Sequence, residues 1–278
     1  MSIPSAPSPS LPCAHQAAAD LLWHTWHNGA VIDTLPADCK PADRAQAYAV
    51  QALLEARSSQ PLVGWKIAAT SVAGQQHINV TGPIAGRLLA ERVHAPEVML
   101  TLTGNRMRVA EPEFVFRMGR SLEPRSAAFA VDDVMAAVAD LHLGIEVPDS
   151  RYANFVTAGE PQLIADNACA HEFILGPQAP SLWRSIDLST HAVHAAVEGS
   201  GHRAPRSYTR EGSGANVLGD PRVALTWLAN ELSGLGITLR RGQIVTTGTC
   251  MQPLELQAGD TVVVDYGLLG RMQARFQA

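Results

Sequence analysis

The pattern of apolar and polar positions divides the chain into a short helical part and a longer part rich in strands. Apolar side chains recur at helical spacing within residues 16–28 and again within residues 42–58, which predicts two helices. Beyond residue 60, short apolar runs alternate with turns rich in Gly and Pro, as in a sheet. We therefore expect an α+β protein, with a helical N-terminal part over residues 15–60 and a β-rich domain over residues 61–278.

The β-rich part contains several recognisable elements. Strands are predicted over residues 62–68, 188–197, 243–247, 261–266 and 271–276. A hairpin turn is predicted at residues 199–201. One helix is predicted over residues 221–231, where Asp220 is a good N-cap, and another over residues 127–141. A strand that carries Glu146 should follow at Gly144, and residues 153–162 should form a loop.

Composition narrows the class of protein. The 278 residues are 46% hydrophobic, which is enough for a sizeable core. The net charge of −5 gives no basic field that would attract nucleic acid. The 4 cysteines form no CxxC pair, which favours free thiols in a reducing compartment. Residues 1–14, rich in Ser and Pro, predict a disordered leader, and without a targeting or membrane-spanning segment we expect a cytoplasmic protein with no membrane partner.

The candidate chemistry begins at Glu111-Pro112-Glu113. In an extended strand, residues two apart project from the same face, so both carboxylates would lie together. A third carboxylate, Glu146, follows an apolar run, and three such groups suit a hard divalent cation such as Mg²⁺. Pro112 cannot donate to a ladder, which predicts a strand margin or a bulge. Spacing alone is equally compatible with a solvated strand face.

A single lysine, Lys66, interrupts the apolar strand predicted over residues 62–68. Lysine is rarely buried without a partner, so its position needs a physical reason. Its stem could pack while the ammonium reaches solvent. Alternatively, it could donate a proton or hold an anionic substrate.

Several segments together resemble the 2-keto-4-pentenoate hydratases of the fumarylacetoacetate hydrolase superfamily. The resemblance runs in order from about residue 43 to the C-terminus. It rests on the Gly-Trp-Lys strand at residues 62–67, Glu111-x-Glu113, residues 144–151 (Gly-Ile-Glu-Val-Pro-Asp-Ser-Arg), Asp-Asn-Ala at 166–168, residues 242–249 and the Gly-Asp turn at 259–260.

This resemblance implies a fold and a site. The fold would be a mixed β-roll or barrel with flanking helices and a small helical N-terminal part. Glu111, Glu113 and Glu146 would bind Mg²⁺ or Mn²⁺, and Lys66 would be the catalytic residue, provided that the site lowers its pKa. The substrate-binding residues would be Asp166, Asn167 and Thr249. The family also implies a homo-oligomer.

The activity implied is that of a metal-dependent hydratase, which adds water to a 2-hydroxyalka-2,4-dienoate through a metal-stabilised dienolate in aromatic catabolism. The substrate would be a small 2-oxo acid. A 4-oxalocrotonate-type decarboxylase would share the same residues, so it stays as an alternative. A β-diketone hydrolase would need a His-Glu pair in the N-terminal part, which the sequence lacks. A non-catalytic binding protein that has kept the fold is the alternative from another class.

Three departures from the family pattern fall where the substrate should lie. Cys169 and Ala170 replace two serines, residues 249–252 read Thr-Cys-Met-Gln, and Gly82 stands where an acidic residue is expected. The proposed metal ligands are all retained. We therefore expect the metal chemistry to be conserved and the substrate preference to differ.

Overall fold

The computed structural model describes residues 11–199 and 206–278. Its helices are α1 (Leu11–Asn28), α2 (Arg44–Glu55), α3 (Val72–His77), α4 (Val131–Met135), α5 (Glu160–Ala165) and α6 (Pro221–Gly234). The helical N-terminal part is therefore present as expected. Residues 11–14, predicted as part of a disordered leader, belong to α1 instead, because Ala14 joins the apolar face that this helix buries. The rest of the predicted leader lies outside the described residues.

Two sheets make up the body of the described chain. The strands are β1 (Leu62–Ala68), β2 (Ile84–Leu89), β3 (Val93–His94), β4 (Met99–Thr101), β5 (Val109–Met118), β6 (Val138–Val147), β7 (Glu172–Gln178), β8 (Ala192–Gly199), β9 (Arg206–Ser213), β10 (Ile244–Thr249), β11 (Leu254–Glu255), β12 (Asp260–Asp265) and β13 (Arg271–Gln277). The larger, eight-stranded sheet runs β2-β1-β10-β5-β6-β7-β3, and β11 adds to β5. The smaller sheet runs β4-β13-β12-β8-β9.

The larger sheet is strongly curled. Its two outermost strands, β2 and β3, follow each other in the chain through a single turn at Ala90–Arg92. Opposite edges can be joined so briefly only if the sheet bends back on itself. The sheet therefore forms a half-barrel, which confirms the predicted mixed β-roll with flanking helices.

Strands β5 and β6 are the central pair, and each divides its side chains between two faces. Phe114, Phe116, Leu143 and Ile145 are buried in the main core. The glutamates lie at the alternate positions and face the inside of the curl. One side of this sheet is therefore a conventional apolar core, and the other is free to carry polar chemistry.

The helix predicted over residues 127–141 is wrong. Only Val131–Met135 is helical, and β6 already begins at Val138 rather than after Gly144. Pairing with β5 on one side and β7 on the other satisfies the backbone of this segment, and it outweighs a weak helical preference. Similarly, the loop expected over residues 153–162 contains the start of α5.

The other predicted elements are present with shifts of one to a few residues. Asp220 caps α6 by accepting a hydrogen bond from the backbone N–H of Arg222, at 2.7 Å. Strands β8 and β9 form an antiparallel pair, as the hairpin prediction requires, although the turn itself lies outside the described residues. Among the helices of residues 11–199 and 206–278, none combines the length and the hydropathy needed to cross a bilayer.

Candidate metal centre

The three predicted carboxylates meet on the inner face of the half-barrel. In the β5–β6 ladder, Glu111 lies directly opposite Glu146, and Glu113 is two residues along on the same face. One carboxylate oxygen from each lies within 4.8 Å of the others. Glu113 and Glu146 are buried and Glu111 is half-buried. The solvated-face alternative is therefore wrong, and the predicted proximity of the carboxylates is confirmed, whereas their role as metal ligands stays a prediction.

Glu113 is held in place by strand β10. Its Oε2 accepts hydrogen bonds from the backbone N–H of Gly248, at 2.6 Å, and from the hydroxyl of Thr246. The β5–β10 register is irregular between Thr246 and Thr249, which lets the chain turn its N–H groups toward the carboxylate. This irregularity lies beside Pro112, where the missing N–H predicted a margin or a bulge.

The remaining carboxylate oxygens lack hydrogen-bond partners. Glu113 Oε1 and both oxygens of Glu146 are buried and accept no hydrogen bond. Lys66 Nζ lies 2.9 Å from Glu146 Oε1, close enough for an ion pair but not oriented as a hydrogen bond. Burial and the charge of Glu146 raise the pKa of Glu111 to about 7, and they also raise the pKa of Glu113. One ammonium facing three carboxylates leaves a negative excess, which a divalent oxygen-seeking cation fits.

Lys66 projects from β1 into the same space and is buried. Its ammonium donates to the backbone carbonyl of Ala168 at 2.9 Å, in addition to the Glu146 contact. Burial opposes its charge, but the carboxylates of Glu146, Glu111 and Glu113 outweigh that effect and raise the pKa of Lys66. The expected lowering of this pKa is therefore absent when only protein groups surround the lysine. The alternative of an ammonium that reaches solvent is also wrong.

Asp166 and Asn167 lie beside the site, but their polar atoms are engaged within the protein. Asp166 is bonded to the guanidinium and backbone N–H of Arg151 and to the Ser150 hydroxyl. Asn167 brackets one residue of β2, accepting from Arg87 N at 2.6 Å and donating to Arg87 O at 2.9 Å. These contacts indicate that both side chains build the loop rather than touch a substrate directly.

Thr249 pairs with Glu113 across the β5–β10 ladder and is thus next to the carboxylates. Its hydroxyl donates to the carbonyl of Met251, at 2.8 Å. Of the three predicted substrate-binding residues, Thr249 is therefore the one placed for such a contact, although its hydroxyl also donates within its own turn.

Sequence reasoning missed other groups that build the site. The Thr246 hydroxyl and the Gly248 N–H bind Glu113 and belong to a segment already recognised, so a signal for them existed. Tyr266 is buried, and its hydroxyl lies 3.0 Å from the carbonyl oxygens of both Glu113 and Gly144, tying β5 to β6 at the level of the carboxylates. It comes from the other sheet, and nothing local in its sequence marks it.

Cys169 is a packed thiol rather than a nucleophile. Burial raises its pKa to about 12, so the thiol stays protonated near neutral pH. The neighbouring His171 does not act as its base, because His171 Nδ1 accepts a hydrogen bond from Trp26 Nε1 at 2.8 Å. Cys250 is also buried, and its pKa is raised by burial and by Glu113.

The chain is similar to a known family of enzymes over most of its length. Residues 42–277 match the family described as fumarylacetoacetate (FAA) hydrolase C-terminal. A 2-keto-4-pentenoate hydratase of Burkholderia vietnamiensis is 31% identical over 252 residues, covering 90% of this chain and 92% of the relative. One from Paraburkholderia phymatum is 32% identical over 241 residues, covering 86% and 88%. This chain therefore belongs to the fumarylacetoacetate hydrolase family.

A solved structure shows the same architecture. The 4-oxalocrotonate decarboxylase from Pseudomonas putida G7, complexed with magnesium and adipate, superposes with a TM-score of 0.81 at 28% identity. The superposition covers 98% of this chain and 100% of the decarboxylase. A second structure of that enzyme, complexed with calcium and acetate, has a TM-score of 0.80. That decarboxylase has thus been observed with a divalent cation and a small carboxylate in both structures.

Proposed function

We propose that this protein is a Mg²⁺-dependent (or Mn²⁺-dependent) hydratase that adds water to a 2-hydroxyalka-2,4-dienoate, the enol form of a 2-oxo-4-enoate, in aromatic catabolism. The observation that carries the proposal is the buried cluster of Glu111, Glu113 and Glu146 in contact with Lys66. Relatives named 2-keto-4-pentenoate hydratase match most of the chain. We further propose that the protein is cytoplasmic and homo-oligomeric.

The three glutamates would hold the cation. When bound, a divalent cation supplies Lewis-acid stabilisation of the negative charge that develops on a 2-oxo group. The ammonium of Lys66 is positioned to hold or transfer a proton at Nζ, 2.9 Å from Glu146 and from the carbonyl of Ala168. Along the same inner face, Leu88, Val115, Phe173 and Ile244 form an apolar cluster that excludes water from one side of the site.

Decarboxylation of a 2-oxo-3-enedioate is the second candidate, and the similarity to the magnesium-bound decarboxylase favours it. A test that separates the two incubates the purified protein with Mg²⁺ and either 2-hydroxypenta-2,4-dienoate or 2-oxohex-3-enedioate. Loss of the dienoate absorbance without CO₂ supports the hydratase, whereas CO₂ from the enedioate identifies the decarboxylase. Removal of the metal with EDTA should abolish either activity. No turnover and no metal binding would indicate a non-catalytic binding protein.

A further inference from the structure

The loop that carries Asn167 has an unusual backbone. Asn167, Ala168 and Cys169 have φ angles of 55°, 51° and 59°, so three consecutive residues other than glycine adopt the left-handed conformation. This conformation is sterically disfavoured for residues with a Cβ atom, less so for asparagine than for alanine or cysteine. A strained turn of this kind persists only where the surrounding structure holds it firmly, and such strain is common at functional sites.

Two sets of contacts hold this left-handed turn. The Asn167 amide brackets the main chain of Arg87, accepting at 2.6 Å and donating at 2.9 Å. The Arg151 guanidinium donates to the carbonyls of Asp166 and Ala170, which flank the turn on either side. The residues that carry these donors and acceptors are all buried, so solvent does not compete for the hydrogen bonds.

A glycine on β2 allows the turn to approach the sheet. A Cβ atom at Gly86 would lie 2.2 Å from the carbonyl oxygen of Asn167, far inside van der Waals contact. The same Cβ would lie 3.1 Å from Cδ of Lys66. The turn and the lysine stem thus share the space that the missing side chain leaves.

The turn presents one polar group to the site. The carbonyl of Ala168 accepts a hydrogen bond from Lys66 Nζ at 2.9 Å, while the other close contact of the ammonium is Glu146. A main-chain carbonyl cannot rotate independently of its turn, so it fixes the direction of the ammonium. Its position depends on Asn167, the adjacent residue.

We propose that Asn167 is a positioning residue: by bracketing Arg87 on β2, its side chain holds the left-handed turn so that the Ala168 carbonyl fixes Lys66 beside Glu146. This inference rests on the proposed function, in which Lys66 handles the proton. Asn167 then acts on turnover through Lys66 and makes no contact with the substrate.

The first test compares Asn167→Ala with a matched control, Asn230→Ala. Asn230 brackets Phe129 in the same way, accepting from its N at 2.7 Å and donating to its O at 3.1 Å, and it contacts neither Lys66 nor the glutamates. We expect both variants to lose stability. Only Asn167→Ala should lose kcat, by roughly 10–100-fold for a displacement of the ammonium of about 1 Å. KM and the Kd for Mg²⁺ should stay near wild-type values, because the carboxylates do not move.

The second test observes Lys66 directly. The chain has only two lysines, Lys40 and Lys66, so NMR of protein labelled with [¹³C]lysine gives two side-chain signals, which Lys40→Arg assigns. Asn167→Ala should shift or broaden the Lys66 signal, and Asn230→Ala should leave it unchanged. If Asn167→Ala does not fold, Asn167→Gly removes the same bracket while permitting a positive φ.

The results have distinct meanings. Wild-type kcat together with an unchanged Lys66 signal in the Asn167 variant would overturn the inference. Equal losses of kcat in the Asn167 and Asn230 variants would also overturn it, because they would indicate a general effect of lower stability. If the wild-type protein turns over neither 2-oxo acid, the proposed function fails, and the NMR comparison still decides whether Asn167 positions Lys66.

Discussion

The substitution Lys66→Met tests the electrostatic balance of the site. A lone lysine in an apolar strand would suggest that methionine stabilises the protein, since a buried ammonium is costly to desolvate. The structure predicts instead that methionine destabilises the metal-free protein. Lys66 is the cation that faces Glu111, Glu113 and Glu146, and its removal leaves the three carboxylates without that positive charge.

The magnitude follows from the burial of the pair. Lys66 and Glu146 have side chains that are 3% and 1% exposed, with Nζ 2.9 Å from Oε1. Breaking a buried ion pair by removing one partner typically costs about 3–5 kcal/mol. For a chain of this size that loss lowers the unfolding midpoint by roughly 10 °C. Proton uptake by the carboxylates limits the loss, so it should be smaller at pH 6 than at pH 8.

The assay is thermal unfolding of both proteins in EDTA and in saturating Mg²⁺, with turnover measured in parallel. In EDTA the Lys66→Met midpoint should lie well below that of the wild type. Mg²⁺ should raise the unfolding midpoint of Lys66→Met by more than it raises that of the wild type. In the variant, the cation neutralises the carboxylates without repulsion from an ammonium. Turnover should be lost in both conditions. Equal midpoints in EDTA, or a higher midpoint for the variant, would refute this account of the site.

Three further predictions concern neighbouring groups. The folded pKa of Glu111, about 7, lies above its ordinary 4.5, so between these values the folded protein holds a proton that the unfolded chain has lost. The metal-free midpoint should therefore fall as the pH rises from 5 to 7 and level off above that, with a flatter profile in Mg²⁺. Glu113→Gln should weaken Mg²⁺ binding at least tenfold by calorimetry, whereas the exposed Glu198→Gln should not; equal affinities would remove Glu113 from the ligand set. Gly86→Ala forces its Cβ within 2.2 Å of Asn167 O, so kcat should fall more than KM rises, and an unchanged kcat would show that the turn moves freely.

The sequence correctly predicted those elements that a clear local signal marks, such as an apolar run or a helix cap. Strand β1 has the bounds expected from its apolar run, and α6 begins at the Asp220-Pro221 signal. The segment 127–141 failed because its apolar residues fit helical and strand periods alike, and only pairing with β5 and β7 decides between them. Strand β2 was not predicted at all, since all six of its residues are buried and no alternation marks it.

The site was predictable where chemistry depends on spacing within one strand. Glu111 and Glu113 share a face because they are two apart, and that inference needs no partner. To predict that Glu146 lies beside them, one must know the register of β5 and β6. To predict the contact with Lys66, one must also know that the sheet order is β1-β10-β5-β6. The bracket from Asn167 to Arg87 joins positions 80 residues apart, and it could not be derived before the curl of the sheet was known.

Two independent departures from ordinary protein energetics meet at one point. On β5 and β6, three carboxylates are crowded around a single ammonium, which the protein groups alone do not neutralise. On the facing loop, three residues hold a left-handed backbone that their side chains disfavour. Both act on Lys66 Nζ, through Glu146 on one side and Ala168 on the other, each at 2.9 Å. A fold selected for stability alone would favour neither departure, so their convergence on one atom argues for catalytic use of Lys66 independently of any relative.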